Sequence, residues 1–236
     1  MKVLVIMPTY NEALNLYTSV EELFKHNPAV NLLIVDDESP DGTGALANKL
    51  AAANAKIRVL HRTGKNGLAD AYKAGFAWGL ENGFDYLVEM DADGSHRAED
   101  LPKLLAEAPT SDLVIGSRWV TGGSVENWAW SRVQLSKWGN IYARVMLASS
   151  INDLTAGFRV YKASLLRSLE LTDLSARGYS FQVEMTRKSE AAKATITEVP
   201  ITFVEREFGV SKMSNSIVLE AMWLVTRLGF RRLLEH

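Results

Sequence analysis

The first half of the chain alternates short β-rich runs with segments of crossover-helix length, and those runs carry almost no polar residues. Val3–Met7, Asn31–Val35, Ile57–Leu60, Tyr86–Met90 and Leu113–Ile115 are apolar nearly throughout. A strand with no polar face has to be covered on both sides, so these runs predict a mostly parallel sheet with helices on both faces. The intervening patterns, Glu12–Lys25, Thr43–Ala53, Leu68–Leu80 and Glu99–Leu105, supply the crossovers. The second half is less regular. A loop at Thr121–Ser124 precedes a helical stretch, Ser131–Leu147. After Asp153–Arg159 the pattern predicts a strand, two helical segments and a strand at Thr195–Val204. A polar loop over 205–214 then enters an amphipathic helix at about 214–234. No repeat or linker divides the chain, so one α/β domain over residues 1–236 is expected.

Composition removes several function classes. The chain has no cysteine, which excludes disulfides, Cys-ligated zinc and thiol nucleophiles. A formal charge of −2 argues against nucleic acid as a partner. The apolar start stops at Pro8, too short for a secretory signal, and no run reaches the ~18 apolar residues of a spanning helix. The near-neutral total hides an asymmetry. Residues 118–167 hold seven cations (Arg118, Arg132, Lys137, Arg144, Arg159, Lys162, Arg167) against Glu126 and Asp153. Four of the six tryptophans, Trp119, Trp128, Trp130 and Trp138, fall in the same stretch. Basic and aromatic residues at this density suit a membrane interface or an anionic ligand, and equally a solvated basic face over an aromatic core.

In parallel α/β sheets ligands bind beyond the carboxyl ends of the strands, and the polar residues gather there. The sharpest signal is Asp91-Ala92-Asp93 after the fourth strand. Two adjacent carboxylates repel unless a cation or proton neutralises one, and Mg²⁺ or Mn²⁺ commonly bridges such a pair to substrate phosphates. A helix-capping turn is the plain alternative. The run Leu87–Ser95 also looks like the first motif of haloacid-dehalogenase-type phosphatases, with Asp91 as nucleophile and Asp93 as acid/base. Against that, three strand-like runs precede it and no downstream Gly-Asp cluster completes the site. Asp36 and Asp37 end the second strand, where acceptors read a ribose or base edge. Gly64-Lys65-Asn66-Gly67 lacks the remaining residues of a phosphate loop and reads as a turn. Of four histidines only His96 lies beside the carboxylates. Arg206 and Lys212 flank a glycine-containing loop of the kind that closes over a diphosphate.

Together, Ile6–Glu12, Val35–Thr43, Met90–His96, Gly116-Ser117-Arg118, Gly157-Phe158-Arg159 and Glu205–Ser214 resemble the polyprenol-phosphate (dolichol-phosphate) mannosyltransferases, over Val3 to about Leu234. The Asp-Ala-Asp-Gly-Ser-His and Glu-Arg-Glu-Phe-Gly-Val-Ser-Lys-Met-Ser versions look most like the actinobacterial polyprenol-monophosphomannose synthases. The resemblance implies a GT-A fold with a Rossmann-like sheet and inverting transfer of mannose from GDP-mannose to a polyprenyl phosphate. It would place Pro8, Tyr10, Glu12, Val35 and Asp37 around the guanosine. Asp91 and Asp93 would hold Mg²⁺ or Mn²⁺ on the diphosphate beside Ala92, with Ser95 where some relatives carry a metal-site Gln. Arg118, Arg206 and Lys212 would contact phosphates, and Arg132 joins them as a substrate-binding candidate. Asp91, Asp93, Arg206 and Lys212 are the expected catalytic residues. Some relatives append membrane-spanning helices that are not expected here, so the enzyme would work in the cytoplasm, peripherally on the inner face of the plasma membrane. A membrane-anchoring partner protein would suit that placement. UDP-glucose is the rival donor, and the phosphatase and a catalytically silent nucleotide-sugar-binding module are the rivals outside this activity.

Overall fold

The computed structural model describes residues 1–64, 67–169, 171, 179–206 and 222–230. Strands β1 (Val3–Thr9), β2 (Asn31–Asp36), β3 (Ile57–His61), β4 (Tyr86–Glu89) and β5 (Leu113–Ser117) match the five apolar runs to within two residues. They join β7 (Arg159–Lys162) and β8 (Ile196–Pro200) in a seven-stranded sheet of order β3-β2-β1-β4-β7-β5-β8. All neighbours are parallel except β7, which runs antiparallel to both β4 and β5. A second ladder pairs β6 (Ser124–Glu126) with β9 (Thr202–Val204) in parallel.

Helices cover both faces, as sheet strands without a polar face require. One core cluster contains Leu4, Ile6, Leu33 and Val35, and the other contains Val3, Val5, Leu32 and Ile34. Alternate residues of the same strands therefore point into opposite cores. Helices α1 (Leu16–His26), α2 (Thr43–Ala53), α3 (Leu68–Glu81) and α4 (Leu101–Glu107) are the crossovers. α5 (Trp130–Leu147), α6 (Ala163–Ser168) and α7 (Tyr179–Ala191) follow, and residues 222–230 are helical.

Three boundaries differ from the sequence pattern. The helix read from Glu12 begins at Leu16, because Asn11 takes a positive φ of 59° and turns the chain out of β1 first. The strand read over 195–204 is two strands in two sheets, with β8 ending at Pro200, which has no N–H to continue a ladder. Residues 124–126, read in part as loop, form β6. Residues 65 and 66 of the predicted turn, Lys212, and residues 214–221 and 231–234 of the predicted last helix lie outside the described residues.

Strand order fixes where a ligand can sit. From β1 the chain moves outward to β2 and β3, then returns to the other side of β1 as β4. The reversal leaves a crevice beyond the carboxyl ends of β1 and β4, the switch point of an open α/β sheet. Helix α3 packs against this part of the sheet with little clearance. A Cβ on Gly75 would stand 2.5 Å from Ile6 Cγ2, and one on Gly79 2.5 Å from Leu87 Cδ2. Overpacking a rigid core costs about 1–3 kcal/mol, more than the 0.5–1 kcal/mol that Ala gains over Gly in a helix. Gly75→Ala is therefore expected to lower the urea-unfolding stability by about 1–2 kcal/mol, and an unchanged midpoint would show that α3 can lift off the sheet.

Candidate active site

The Asp91–His96 loop leaves the end of β4 into the crevice, and its shape is set by several anchors. Gly94 takes φ 76°, a conformation that side chains resist, and lets the chain double back. Asp93 Oδ1 accepts hydrogen bonds from the Ser95 N–H (3.1 Å) and the Ser95 hydroxyl (2.6 Å). The Ala92 carbonyl accepts the Ser19 hydroxyl at 2.7 Å. His96 Nδ1 accepts the Asp91 N–H at 3.0 Å, which puts the proton of the neutral ring on Nε2. That ring is buried, stacked on Phe158 at 5.0 Å and meeting the edge of Phe203 at 5.5 Å, and burial lowers its pKa. His96 thus lies at the site but holds backbone in place there. Strand β9 closes the loop from the far side, with the Val204 N–H donating to the Ser95 carbonyl at 3.2 Å.

The two carboxylates occupy different environments. Asp91 Oδ1 accepts the hydroxyl of the fully buried Tyr72 at 3.0 Å. Burial, reinforced by the Asp93 charge, pushes the Asp91 carboxyl above its ordinary range. Burial acts on Asp93 in the same direction, but the Ser95 hydroxyl and the Arg206 guanidinium together hold it below that range. Arg206 Nη2 stands 3.2 Å from Asp93 Oδ2. Two hard oxygen donors with one counter-charge between them suit Mg²⁺ or Mn²⁺. Among the described residues no group of three His, Asp or Glu could hold a metal, so from these residues a cation would take the two carboxylates and complete its shell with other oxygens such as water or substrate phosphate.

The nucleotide candidates converge beside this loop. Pro8 and Val35 are register partners at the ends of β1 and β2, and the Asp37 N–H donates to the Thr9 carbonyl at 3.1 Å. The Glu12 N–H donates to Thr43 Oγ1 at 2.9 Å, and Tyr10 lies between these strand ends and Glu12. The Val35 side chain is wholly buried, so a ligand can meet that residue only through its backbone. Asp37 pairs with Arg62 at 2.7 Å, a partner that the sequence pattern did not single out.

Arg118 lies over Phe203, 5.5 Å from the ring centroid, and Trp128 meets the same ring edge-on at 5.3 Å. Arg118 is 5% exposed and grips Asp153, with Nε to Oδ2 and Nη2 to Oδ1 both at 2.7 Å, while Nη2 also reaches Thr155 Oγ1 at 2.9 Å. Arg132 lies over Trp128, 4.0 Å from the ring centroid, and pairs with Glu205. Under this layer, Glu89 and Arg159 are register partners in adjacent strands and both are fully buried. Burial raises Glu89 to about 8, although Arg159 and the Gln182 amide oppose the shift. Sequence reasoning missed Tyr72, Asp153 as the partner of Arg118, and this Glu89–Gln182–Arg159 group. No spacing rule links positions so far apart, and the only hint was two ionisable residues inside otherwise apolar strands.

The family model "Glycosyl transferase family 2" matches residues 4–169. An undecaprenyl-phosphate mannosyltransferase of Micrococcus luteus is 53% identical over 97% of this chain and 94% of its own. A polyprenol monophosphomannose synthase of Mycolicibacterium smegmatis is 50% identical over 100% of this chain and 89% of its own. Among solved structures, glucosyl-3-phosphoglycerate synthase from Mycobacterium tuberculosis matches with a TM-score of 0.71 at 16% identity, covering 97% of this chain and 80% of that one. A Pyrobaculum calidifontis mannosyltransferase in complex with GDP-mannose and Mn²⁺ matches with a TM-score of 0.62 at 18% identity, covering 100% and 64%. These neighbours share the GT-A-like α/β fold.

The Arg118–Asp153 pair makes a stability test possible. Burial acts to raise the Asp153 pKa, but Arg118 holds it below the ordinary range. Its contribution is therefore present above an unfolded pKa of about 4 and is lost as pH falls through the lower folded value. Asp153→Asn leaves a buried guanidinium without its counter-charge and should cost about 3–5 kcal/mol at neutral pH. In chemical denaturation at a series of pH values, the gap between wild type and variant should close on acidification. A gap that persists below the folded pKa would assign the loss to packing.

Proposed function

The chain belongs to glycosyl transferase family 2, among the polyprenol-phosphate mannosyltransferases, and on that premise we propose that it transfers mannose from GDP-mannose to a polyprenyl monophosphate. The products would be polyprenyl-phosphate mannose and GDP, for lipid-linked glycan or glycolipid synthesis. One observation carries this reading. Asp91, Asp93 and Arg206 converge beyond β4 at the switch point, in a chain half identical to relatives named for transfer to a polyprenyl carrier. Kinship also favours a transferase over the phosphatase and silent-module readings of Asp91-Ala92-Asp93.

In this reading Pro8, Tyr10, Glu12, Val35 and Asp37 hold the guanosine, and Asp91 and Asp93 hold Mg²⁺ or Mn²⁺. When bound, that cation offsets negative charge on the donor diphosphate. Ser95 and Tyr72 keep the carboxylates aimed, each through a hydrogen bond to one of them. Arg206 stabilises the departing GDP, and Lys212 shares that task on sequence grounds. Arg118 and Arg132 belong to the acceptor side, in the basic segment. A phosphate monoester is largely dianionic at neutral pH and needs little help from a general base. His96 is not required as one, since its Nδ1 already accepts the Asp91 N–H. The reaction is then a single in-line displacement giving a β-linked mannosyl phosphate without a covalent enzyme intermediate. Among the described residues no helix is long and apolar enough to cross a membrane. The enzyme meets its lipid peripherally, on the inner face of the plasma membrane, alone or with a membrane-anchoring protein.

Labelled GDP-mannose incubated with polyprenyl phosphate tests the reading. Label should pass to the organic phase with Mg²⁺ or Mn²⁺ and stop with EDTA. Arg206→Ala should lower kcat by about 10²–10³, the scale of losing one transition-state donor, and Asp91→Asn and Asp93→Asn should lower it at least as far. Preferential transfer from UDP-glucose would replace the donor, and an α-linked product would overturn the mechanism.

A further inference from the structure

Among the described residues only one ring nitrogen of His96 has a hydrogen-bond partner. Nδ1 accepts the Asp91 N–H at 3.0 Å, so it carries no proton, and the neutral ring has its hydrogen on Nε2. That Nε2–H is left unpaired on a side chain only 3% exposed. A donor withdrawn from water without a partner is rare and costly, which calls for a partner from outside the chain. Nε2 is placed to meet one. Glu89 Oε1 and Gln182 Oε1 are unpartnered atoms sealed in the interior, and Nε2 is not one of that sealed set. Beside it stands Gly157, partly exposed and without a side chain. A Cβ there would lie 3.5 Å from Cε1 and 3.8 Å from Nε2, so this edge of the ring faces space that any other residue would fill.

The groups around that space indicate the ligand. The charges acting on the ring are Asp91, Asp93 and Arg118. Phe203 links His96 to Arg118: its ring is 5.5 Å from that of His96, edge to face, and its centroid is 5.5 Å from the Arg118 guanidinium. The segment that presents Gly157 also carries Asp153 and Thr155, which hold Arg118. Nε2 therefore borders both the carboxylate pair and the Arg118 side, where a donor diphosphate and an acceptor phosphate would meet. The diphosphate already has the carboxylate-bound cation and Arg206, which leaves the phosphate on the Arg118 side for Nε2. A hydrogen bond to one oxygen of a phosphate dianion is strong, and it turns another oxygen toward the carbon under attack.

We propose that His96 Nε2–H donates a hydrogen bond to the phosphate monoester of the acceptor and holds it beside Arg118 for attack on the donor sugar. His96 is then a catalytic residue that positions the nucleophile without exchanging a proton. The assignment rests on the reading of the chain as a polyprenyl-phosphate transferase.

Two replacements separate this role from that of anchoring the loop. Asn can offer an oxygen where Nδ1 stands but nothing at Nε2, whereas Gln can place an N–H near Nε2 but loses the acceptor at Nδ1. With GDP-mannose and a short, water-soluble polyprenyl phosphate, His96→Asn should raise the acceptor KM about 10–100-fold, the worth of a hydrogen bond to a charged group. The KM for GDP-mannose should stay as in wild type. His96→Gln should recover part of the loss. Gly157→Ser, whose Cβ fits in ordinary contact and whose hydroxyl can take the Nε2–H, should also raise the acceptor KM alone. An unchanged acceptor KM in His96→Asn, or a Gln variant worse than the Asn one, would overturn the proposal, because the ring would then serve only the Asp91 N–H. A titration of wild type labelled with ¹⁵N-histidine needs neither turnover nor a stable variant. The His96 Nε2–H signal, assigned through its contacts to Phe158 and Phe203, should shift with the short polyprenyl phosphate and not with GDP and Mg²⁺. A shift with GDP alone would give the N–H to the donor and overturn the proposal, as would no shift with either. If wild type transfers no mannose while the acceptor still shifts the signal, His96 keeps its role and the GDP-mannose reading falls.

Discussion

A parallel sheet buried on both faces leaves almost nowhere for polar chemistry except the strand ends. β1 and β2 carry side chains into two separate cores, so no polar group along their length could reach solvent. The reversal of strand order at β1 and β4 opens a crevice at those ends, and the carboxylates, Arg206 and the nucleotide candidates all collect around it. Desolvation therefore decides where function can be, and strand order decides which strand ends are adjacent.

Within that rule the protein keeps several charges out of water, and each has a visible counterweight. Arg118 has Asp153, Asp93 has Arg206, and Asp37 has Arg62. Among the described residues Glu89 has no direct ion pair. Its pKa of about 8 keeps it protonated at neutral pH, so the Glu89–Gln182 bond is one between neutral groups. Arg159 is met by the Leu154, Ala156 and Gln182 carbonyls and the Thr186 hydroxyl, which is how a buried guanidinium without a carboxylate is tolerated. Two of the seven cations in the basic segment are thus interior, and its surface charge is smaller than the sequence suggests.

Much of the architecture was legible because it follows local rules. Apolar runs mark strands, and the Asp91-Ala92-Asp93 tripeptide after one of them marks the crevice. The strand read over 195–204 failed where a residue without an N–H ends one ladder and the chain enters another. Glu12 was placed in a helix because a positive φ at Asn11 leaves no mark in the hydrophobic period. Tyr72 could not be found at all. It lies 19 residues before Asp91 on a helix whose buried face reads as ordinary core, and only the packing of α3 on the sheet brings its hydroxyl to the carboxylate. Asp153 is invisible for the same reason, as its partner is 35 residues away.

The loop after β4 is gripped along its length. Ser19 holds the Ala92 carbonyl, Ser95 closes back on Asp93, β9 takes the Ser95 carbonyl, and the Asn27 amide takes that of Ala98 at 2.7 Å. The carbonyl anchors come from two distant parts of the chain, α1 with its C-cap and β9, and meet the carbonyls of residues 92, 95 and 98, three apart. An inserted or deleted residue would put every later anchor out of step. The loop is thus fixed in length as firmly as in its functional side chains, and new specificities in this scaffold have to be built from the segments around it.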